Sequence, residues 1–259
     1  MFAQINGIQV FYEIRGDVGS SVVLLHGWGC TADLMIPPAE ELQKDHRVLL
    51  IDFPGFGRSQ VPDSSWGVPE YAVCLKELLE LLGWNPCAVV AHSFGCRVAA
   101  WAASEWPDLF TRMVFTGAAG IRKPATEESR KKEKAYQFRK KIVFLMKGVP
   151  GFASAGKTLE DRLRKKYGSA DYNALSEEMR GTFVKVVNLD LQDRYPLIRS
   201  SVLLIWGDSD TETPLWMGKK METLIPDSGL VIFEGGSHFV YLEQKDRFNK
   251  VVGHFLTED

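Results

Sequence analysis

The chain reads Val-Val-Ala-His-Ser-Phe-Gly-Cys-Arg at residues 89–97. An apolar, β-branched run ends at Ser93, which lies between the small residues Ala91 and Gly95, and a helical pattern begins directly after it. This arrangement predicts a nucleophile elbow, a serine on a tight strand-to-helix turn whose hydroxyl projects beyond the end of a sheet. Small residues are needed on both sides because a larger side chain would collide where the backbone doubles back. A buried strand followed by an ordinary serine N-cap is the alternative interpretation.

A serine hydroxyl is a poor nucleophile at neutral pH, so it needs a base that is itself oriented by a carboxylate. Two apolar strand patterns downstream of Ser93 each run into a polar loop. The first loop carries the carboxylates of Asp208, Asp210 and Glu212, and the second is rich in glycine and carries His238. Ligands bind at the carboxyl ends of the strands in an open parallel sheet, so we expect the hydroxyl, the imidazole and one carboxylate to meet there.

The choice of base is narrow because the chain has five histidines. Only His238 lies in a glycine-flanked loop after a strand, whereas His46, His92 and His254 are expected to have structural roles. His92 is expected to point to the other side of its strand from the neighbouring serine. On these grounds alone the choice of acid stays open, because Asp208 could simply cap the turn.

A second loop offers groups that could stabilise an oxyanion. The first buried strand pattern, at 22–25, is followed by His26, Gly27, Trp28 and a further glycine. Acyl transfer builds negative charge on the carbonyl oxygen, and backbone N–H groups must already point at it. We expect one N–H from Phe94, the residue after the nucleophile, and one from Trp28. The alternative is a glycine-rich connection with a tryptophan in the core, and the two interpretations are compatible.

Together these segments resemble, in order, the motifs of the α/β-hydrolase superfamily. The matching segments are His26–Gly29 for H-G-x-x, Asp52–Ser59 for D-x-x-G-x-G-x-S, Ala91–Gly95 for the elbow, Gly207–Pro214 for G-x-x-D-x-x-x-P and Gly235–His238 for G-x-x-H. The resemblance covers nearly the whole chain and implies that Asp210, not Asp208, is the acid. Ala91 departs from the first glycine of the elbow. Ser93 disfavours the epoxide hydrolases and haloalkane dehalogenases of this fold, which use an aspartate nucleophile.

Strand and helix patterns alternate along the chain, which favours a mainly parallel sheet covered on both faces. The resemblance sharpens this to an α/β fold: a mainly parallel eight-stranded α/β-hydrolase sheet with helices on both faces and a helical cap inserted after strand 6. The core domain would comprise 1–120 and 196–259, and the cap 121–195. The predicted strands are a hairpin over 2–14 and the segments 22–25, 48–51, 88–91, 113–116, 202–206 and 230–233, and the clearest helices are 71–82, 94–104 and 239–256.

The expected cap is strongly basic. Residues 121–166 hold fifteen Lys and Arg against five Asp and Glu, although the whole chain has a net charge of −2. This surplus can be a solvated helical face or a means of steering an anionic substrate into the cleft. A nucleic-acid or membrane surface is disfavoured, because aromatic residues are not interleaved with the basic ones. The candidate substrate-pocket residues are His26, Gly27, Phe138, Ile142, Met146 and Phe239.

Length and composition fit one globular domain with an insertion. The chain has 259 residues, of which 45% are hydrophobic and 25% charged, ordinary values for a soluble protein. It has no signal-peptide pattern and no run of about eighteen apolar residues, so we expect a cytoplasmic protein without a membrane partner. Its four cysteines lack the spacing of a disulfide framework or metal site, so reduced thiols are expected. The oligomeric state stays open between a monomer and a homodimer.

These observations predict a serine hydrolase that cleaves an ester-like bond of a small molecule through an acyl-enzyme, as a carboxylesterase does, without a metal or organic cofactor. Ser93 would be the nucleophile, His238 the base and Asp210 the orienting acid. A first alternative is a carbon–carbon bond hydrolase of the meta-cleavage-product type, which this chain resembles in size, triad and helical cap. Arg97 is then a candidate for holding a carboxylate, unless it forms a salt bridge on its helix. A second alternative is a ligand-binding receptor or scaffold on the same fold.

Overall fold

The computed structural model describes residues 1–124, 172–173 and 175–257, together with the single residues 127, 131, 135, 159 and 162. Eight strands form one sheet in the order β1-β2-β4-β3-β5-β6-β7-β8. They are β1 Phe2–Ile5, β2 Ile8–Arg15, β3 Ser21–Leu25, β4 Arg47–Ile51, β5 Cys87–His92, β6 Phe110–Thr116, β7 Ser201–Gly207 and β8 Ser228–Phe233. β2 runs antiparallel to β1 and β4, and every other neighbouring pair is parallel. The predicted mainly parallel eight-stranded sheet is confirmed.

The described helices lie between and after these strands. They are α1 Ile36–Leu42, α2 Val68–Leu82, α3 Phe94–Glu105, α4 Glu177–Asn188, α5 Leu215–Leu224, α6 Val240–Glu243 and α7 Lys245–Thr257, with short 3₁₀ turns at Ala32–Met35 and Tyr195–Leu197. In the parts of the chain that are described, no helix combines the length and the apolar character needed to cross a membrane.

The sheet is covered on both faces because alternate side chains of each strand point to opposite sides. On one face Val23, Leu25 and other strand residues pack in a cluster with residues of α2, α3 and α5. On the other face Val22, Leu24 and their counterparts pack with residues of α1, α6 and α7. Each fully buried aliphatic side chain contributes roughly 1.5–3 kcal/mol. This two-sided burial explains why the central strands read as continuous apolar runs.

The topology brings the loops that follow β3, β5, β6, β7 and β8 to one edge of the sheet. Leu25 lies beside Ala91 in the strand register, and Gly207 at the end of β7 lies beside Phe233 at the end of β8. In the sheet, β3 lies between β4 and β5, so the strands that follow it along the chain are placed first on one side of it and then on the other. Such a switch point opens a crevice beyond the carboxyl ends of the strands. All the predicted site loops meet there.

Two helices differ from their predicted bounds. The pattern over 239–256 predicts one helix, but the structure has α6 and α7, separated at Gln244. The Gln244 backbone leaves helical geometry at φ −118 and ψ 46, and its side-chain amide donates to the carbonyl of Glu234. α2 begins three residues before its predicted start at Tyr71, because Pro69 suits a first helical turn and Glu70 accepts the N–H of Gly67.

The described residues between β6 and β7 include α4 and the 3₁₀ turn at Tyr195–Leu197. The cap boundaries at 121 and 195 stay a prediction. Three of the candidate pocket residues, Phe138, Ile142 and Met146, lie outside the described residues.

Candidate active site

Ser93 occupies a strained turn between β5 and α3. Its φ of 48° and ψ of −103° lie in a region that L-residues rarely adopt, at a cost of about 1–3 kcal/mol. The backbone is fixed on both sides of the turn: the Ser93 N–H donates to Thr116 and its carbonyl accepts from Ala119. Gly95 is required by close packing, since a Cβ there would lie 2.6 Å from the Leu25 carbonyl oxygen. The fold therefore holds this serine in a geometry that few serines share.

Ser93 and His238 line the same cavity, which has a volume of about 730 Å³. This volume is in the range of small-molecule sites. Trp28, Phe94 and Phe239 also line the cavity. The structure thus brings together, in one concave site, side chains whose sequence positions span most of the chain.

His238 is backed by a buried carboxylate. Its Nδ1 lies 2.8 Å from Oδ2 of Asp210, whose side chain is fully buried. Oδ1 of Asp210 accepts the backbone N–H groups of Glu212 and Thr213, each at 2.9 Å. Burial alone would raise the pKa of Asp210, but the hydrogen bonds from His238 and Thr213 outweigh it and hold that pKa below its usual value. The ionised carboxylate favours the proton on Nδ1 and leaves Nε2 as the basic nitrogen.

Thr213 adds a contact that the sequence analysis did not identify. Its Oγ1 lies 2.9 Å from Oδ2 of Asp210, 3.0 Å from the Gly117 carbonyl oxygen and 3.2 Å from Nδ1 of His238. The side chain is 6% exposed, so its hydroxyl has to find partners inside the protein. Thr213 lies directly before Pro214 in the loop that carries Asp210, and this position was the sequence signal that could have identified it. Thr213 ties the carboxylate and the imidazole to the loop after β6.

His92 lies on the sheet face that carries Tyr241, as strand alternation predicts, and it also reaches the site. His92 lines the cavity, and its ring centroid lies 4.7 Å from that of His238. Nδ1 of His92 donates to the carbonyl of Thr116 at 3.1 Å, which fixes the ring at the edge of the sheet where the candidate site lies. Burial, with the nearby charge of His238, lowers the pKa of His92 to about 3. The His92 ring is therefore neutral, and the His238 imidazole packs against it.

His26 does not line the cavity, which corrects its prediction as a pocket residue, whereas Gly27 and Phe239 do line it. The His26 side chain is fully buried, with Nδ1 donating to the Gly27 carbonyl at 2.7 Å and Nε2 accepting the N–H of Phe53 at 3.0 Å. Burial lowers its pKa to about 4, so the ring is neutral. His26 joins the loop after β3 to the loop after β4, behind the cavity wall.

The candidate oxyanion groups lie next to the serine. Gly27 fits against the elbow so closely that a Cβ there would lie 2.8 Å from the His92 ring and 3.5 Å from the Ser93 Cβ. In the described part of the chain, the backbone N–H groups of Trp28 and Phe94 donate to no acceptor. The Trp28 ring packs edge-on against Phe94, with 5.4 Å between their centroids. This packing fixes the loop after β3 beside the elbow.

The other motif carboxylates have structural partners. Asp208 accepts the N–H of Gly235 at 2.9 Å and so links the loops after β7 and β8. Asp52 accepts from the N–H of Ala32 and from both the backbone and side chain of Arg58. A Cβ at Gly57 would lie 2.4 Å from Oδ2 of Asp52, which explains the glycine there. Within the described ranges, no cluster of three or more His, Cys, Asp or Glu could hold a metal ion.

The comparisons with known proteins agree with this geometry. A 2-hydroxy-6-oxononadienedioate/2-hydroxy-6-oxononatrienedioate hydrolase of a Pseudomonas species is 26% identical over 98% of this chain and 93% of its own length. The pimeloyl-[acyl-carrier protein] methyl ester esterase of Aliivibrio fischeri is 22% identical over 96% of this chain and 98% of its own. The crystal structure of the enol-lactonase from Burkholderia xenovorans LB400 covers both chains fully at 21% identity, with a TM-score of 0.76.

The family model described as the alpha/beta hydrolase fold matches residues 20–245, which is most of the chain and spans every loop of the site. The predicted superfamily resemblance is confirmed, and the protein belongs to the alpha/beta-hydrolase family.

Proposed function

We propose that this protein is a serine hydrolase that cleaves an ester-like bond of a small molecule through an acyl-enzyme, as a carboxylesterase does. One observation carries the proposal: Ser93 at the strained elbow shares a cavity with His238, and Asp210 lies 2.8 Å behind that imidazole. The membership in the hydrolase family and the relative named as a methyl ester esterase support the same chemistry.

In the proposed mechanism, the Ser93 oxygen forms a bond to the substrate carbonyl carbon as Nε2 of His238 takes the hydroxyl proton. Asp210 stabilises the imidazolium, and the N–H groups of Trp28 and Phe94 bind the oxyanion. The carbon–oxygen bond to the alcohol then breaks, and His238 returns its proton to the departing oxygen. Water attacks the acyl-enzyme with His238 again as the base, which releases the acid and regenerates Ser93.

The test is a pair of serine variants assayed with p-nitrophenyl esters and a fluorophosphonate probe. Ser93→Ala should lower kcat at least 10³-fold and abolish labelling, because it removes the oxygen that would form the acyl-enzyme. Ser209→Ala removes an exposed hydroxyl that donates to the carboxylate of Asp208, and it should behave as the wild type. Turnover that survives in Ser93→Ala would show that another residue is the nucleophile.

A second candidate function is hydrolysis of a carbon–carbon bond next to a ketone. Two observations favour it: the relative named as a hydrolase of 2-hydroxy-6-oxo diacids, and cationic side chains in the cavity wall. A vinylogous diketone substrate assayed beside the ester panel separates the two functions. Preferential cleavage of the diketone, again dependent on Ser93, would replace ester hydrolysis as the main activity.

The third candidate, a receptor or scaffold, predicts an unreactive serine, so the fluorophosphonate probe also tests it. We further propose that the protein acts as a monomer or homodimer on an anionic substrate in the cytoplasm. The four cysteines are free thiols, which suits a reducing compartment.

A further inference from the structure

Arg97 is a buried cation in the wall of the cavity that holds Ser93. It is the fourth residue of α3, it lines the cavity, and it is 8% exposed. Its Nη1 donates to the Leu189 carbonyl at 2.7 Å. No carboxylate of the described residues lies within ion-pair distance of it, so the salt bridge considered from the sequence is not formed there.

This placement is unfavourable for a cation. Burying an unpaired charge costs several kcal/mol, and the positive end of the α3 dipole disfavours a cation in the first turn. The nearby Asp190 gives only indirect help, because its oxygens accept the backbone N–H groups of Arg122 and Gln192. A backbone carbonyl does not require a guanidinium as its donor. The folded chain therefore compensates the charge of Arg97 poorly, whereas an anionic ligand in the cavity would compensate it.

The rest of the cavity wall has the same electrostatic character. Arg122 and Lys123 line the cavity with Arg97, and Glu212 is the one carboxylate residue among the described lining residues. The Lys123 ammonium donates to the Thr211 carbonyl at 3.4 Å, a long contact that leaves two of its three hydrogens for other acceptors. Three cations against one anion give the cavity a positive potential towards a bound molecule.

We propose that the substrate of this hydrolase carries a carboxylate on its acyl side and that Arg97 binds it, an inference that rests on the proposed function. A guanidinium presents a planar fork that matches a carboxylate with two parallel hydrogen bonds. Arg97 follows Ser93 by about one turn of helix, a rise of roughly 6 Å. The carboxylate then lies only a few bonds from the scissile carbonyl, as in a monoester of a short dicarboxylic acid or an ester of a short oxo acid.

The test compares two substrates of equal chain length, the p-nitrophenyl monoester of glutaric acid and p-nitrophenyl valerate. Wild-type protein should prefer the charged ester in kcat/KM. Arg97→Gln should lower kcat/KM for the glutarate monoester about 10- to 100-fold, the range of a charge-assisted hydrogen bond, and for valerate less than about threefold. Arg97→Lys keeps the charge but not the fork, so it should retain part of the preference. Arg15→Gln, which removes a cation paired with Glu13 away from the cavity, is the matched control.

A binding measurement makes the result independent of turnover. Free glutarate should raise the melting temperature of wild-type protein and not that of Arg97→Gln. Equal losses for both esters, or no stabilisation of the wild type by glutarate, would overturn the proposal and leave Arg97 as a structural donor to Leu189. Arginine-dependent glutarate binding without hydrolysis of either ester would overturn the proposed function and support the carboxylate site. Hydrolysis of valerate without glutarate binding would overturn the carboxylate site and support the proposed function.

Discussion

Thr213 connects more of the candidate site than any other single side chain described above. Its hydroxyl lies within 3.2 Å of the Asp210 carboxylate, the His238 imidazole and the Gly117 carbonyl oxygen. Thr213→Val keeps the shape but removes the hydroxyl, and it takes one donor away from the buried Gly117 carbonyl and the Asp210 carboxylate, which share it. We expect kcat to fall about tenfold with little change in KM, because the imidazole is held less well while substrate contacts remain.

The controls for Thr213 separate positioning from packing. Thr213→Ser restores the hydroxyl and should recover most of the activity, although it removes a methyl group. Thr211→Val changes an exposed threonine of the same loop and should have no effect. An active Thr213→Val variant together with an impaired Thr213→Ser variant would show that the methyl group, not the hydroxyl, is what the site needs.

The carboxylates of Asp208 and Asp210 test the assignment of the acid. Asp210→Asn should lower kcat by about 10³- to 10⁴-fold, since an amide cannot hold the Nδ1-protonated tautomer or stabilise the imidazolium. Asp208→Asn keeps an oxygen for the Gly235 N–H, so its activity should stay within a factor of about three of the wild type. The measurement is ester hydrolysis at pH 8, with folding checked by circular dichroism. A larger loss in Asp208→Asn than in Asp210→Asn would reverse the assignment.

At the scale of the element, the site depends on how closely α3 approaches β3. A Cβ at Gly95 would lie 2.6 Å from the Leu25 carbonyl oxygen, whereas a Cβ at Gly253 in α7 meets nothing within 4 Å. Gly95→Ala should therefore lower the free energy of unfolding by about 1–3 kcal/mol through overpacking. Gly253→Ala should raise it by about 0.5–1 kcal/mol, because alanine is the better helix former. Urea denaturation of both variants measures the difference, and equal effects would show that the elbow tolerates a side chain.

The elements also show what could be predicted from the sequence. The strands were predictable because their buried apolar runs end where polar, glycine-containing loops begin, and those loops carry the motifs. The break at Gln244 was not predictable, because α6 and α7 share one apolar periodicity that does not encode the non-helical backbone angles of Gln244. The site loops were predictable as neighbours, since strand order alone brings them together. The contacts of Thr213 and His92 were not, since they depend on side-chain directions that periodicity does not contain.

At the scale of the whole molecule, no local segment contains the site. The loops that hold Gly27, Ser93, Thr213 and His238 follow four different strands and meet only when the sheet is complete. The net charge of the chain did not predict the charge of the cavity. The chain has a net charge of −2, whereas the described residues of the cavity wall carry more cations than anions. The extent of the cap and the role of its basic surface stay predictions, since they depend on residues outside the described ranges.

Two buried neutral histidines set how the whole molecule responds to acid. The pKa of His26 is lowered to about 4 and that of His92 to about 3, both mainly by burial, against about 6.5 in an unfolded chain. Between these values the unfolded chain binds more protons than the folded protein, so stability is complete above pH 6.5 and falls as the pH drops towards 4. Asp52 and Asp210 have lowered pKa values, so the stability that these carboxylates contribute is lost only below about pH 4.

The free energy of unfolding should therefore fall by on the order of 3 kcal/mol for each histidine between pH 7.5 and pH 4. Urea denaturation at pH 7.5, 6.5, 5.5 and 4.5 measures the slope. His26→Asn can still donate to the Gly27 carbonyl but cannot titrate, so it should be less stable at pH 7.5 and lose less stability on acidification than the wild type. A wild-type slope that His26→Asn leaves unchanged would mean that protonation of this ring does not limit acid stability, and that carboxylates or the surface charge of the whole molecule do.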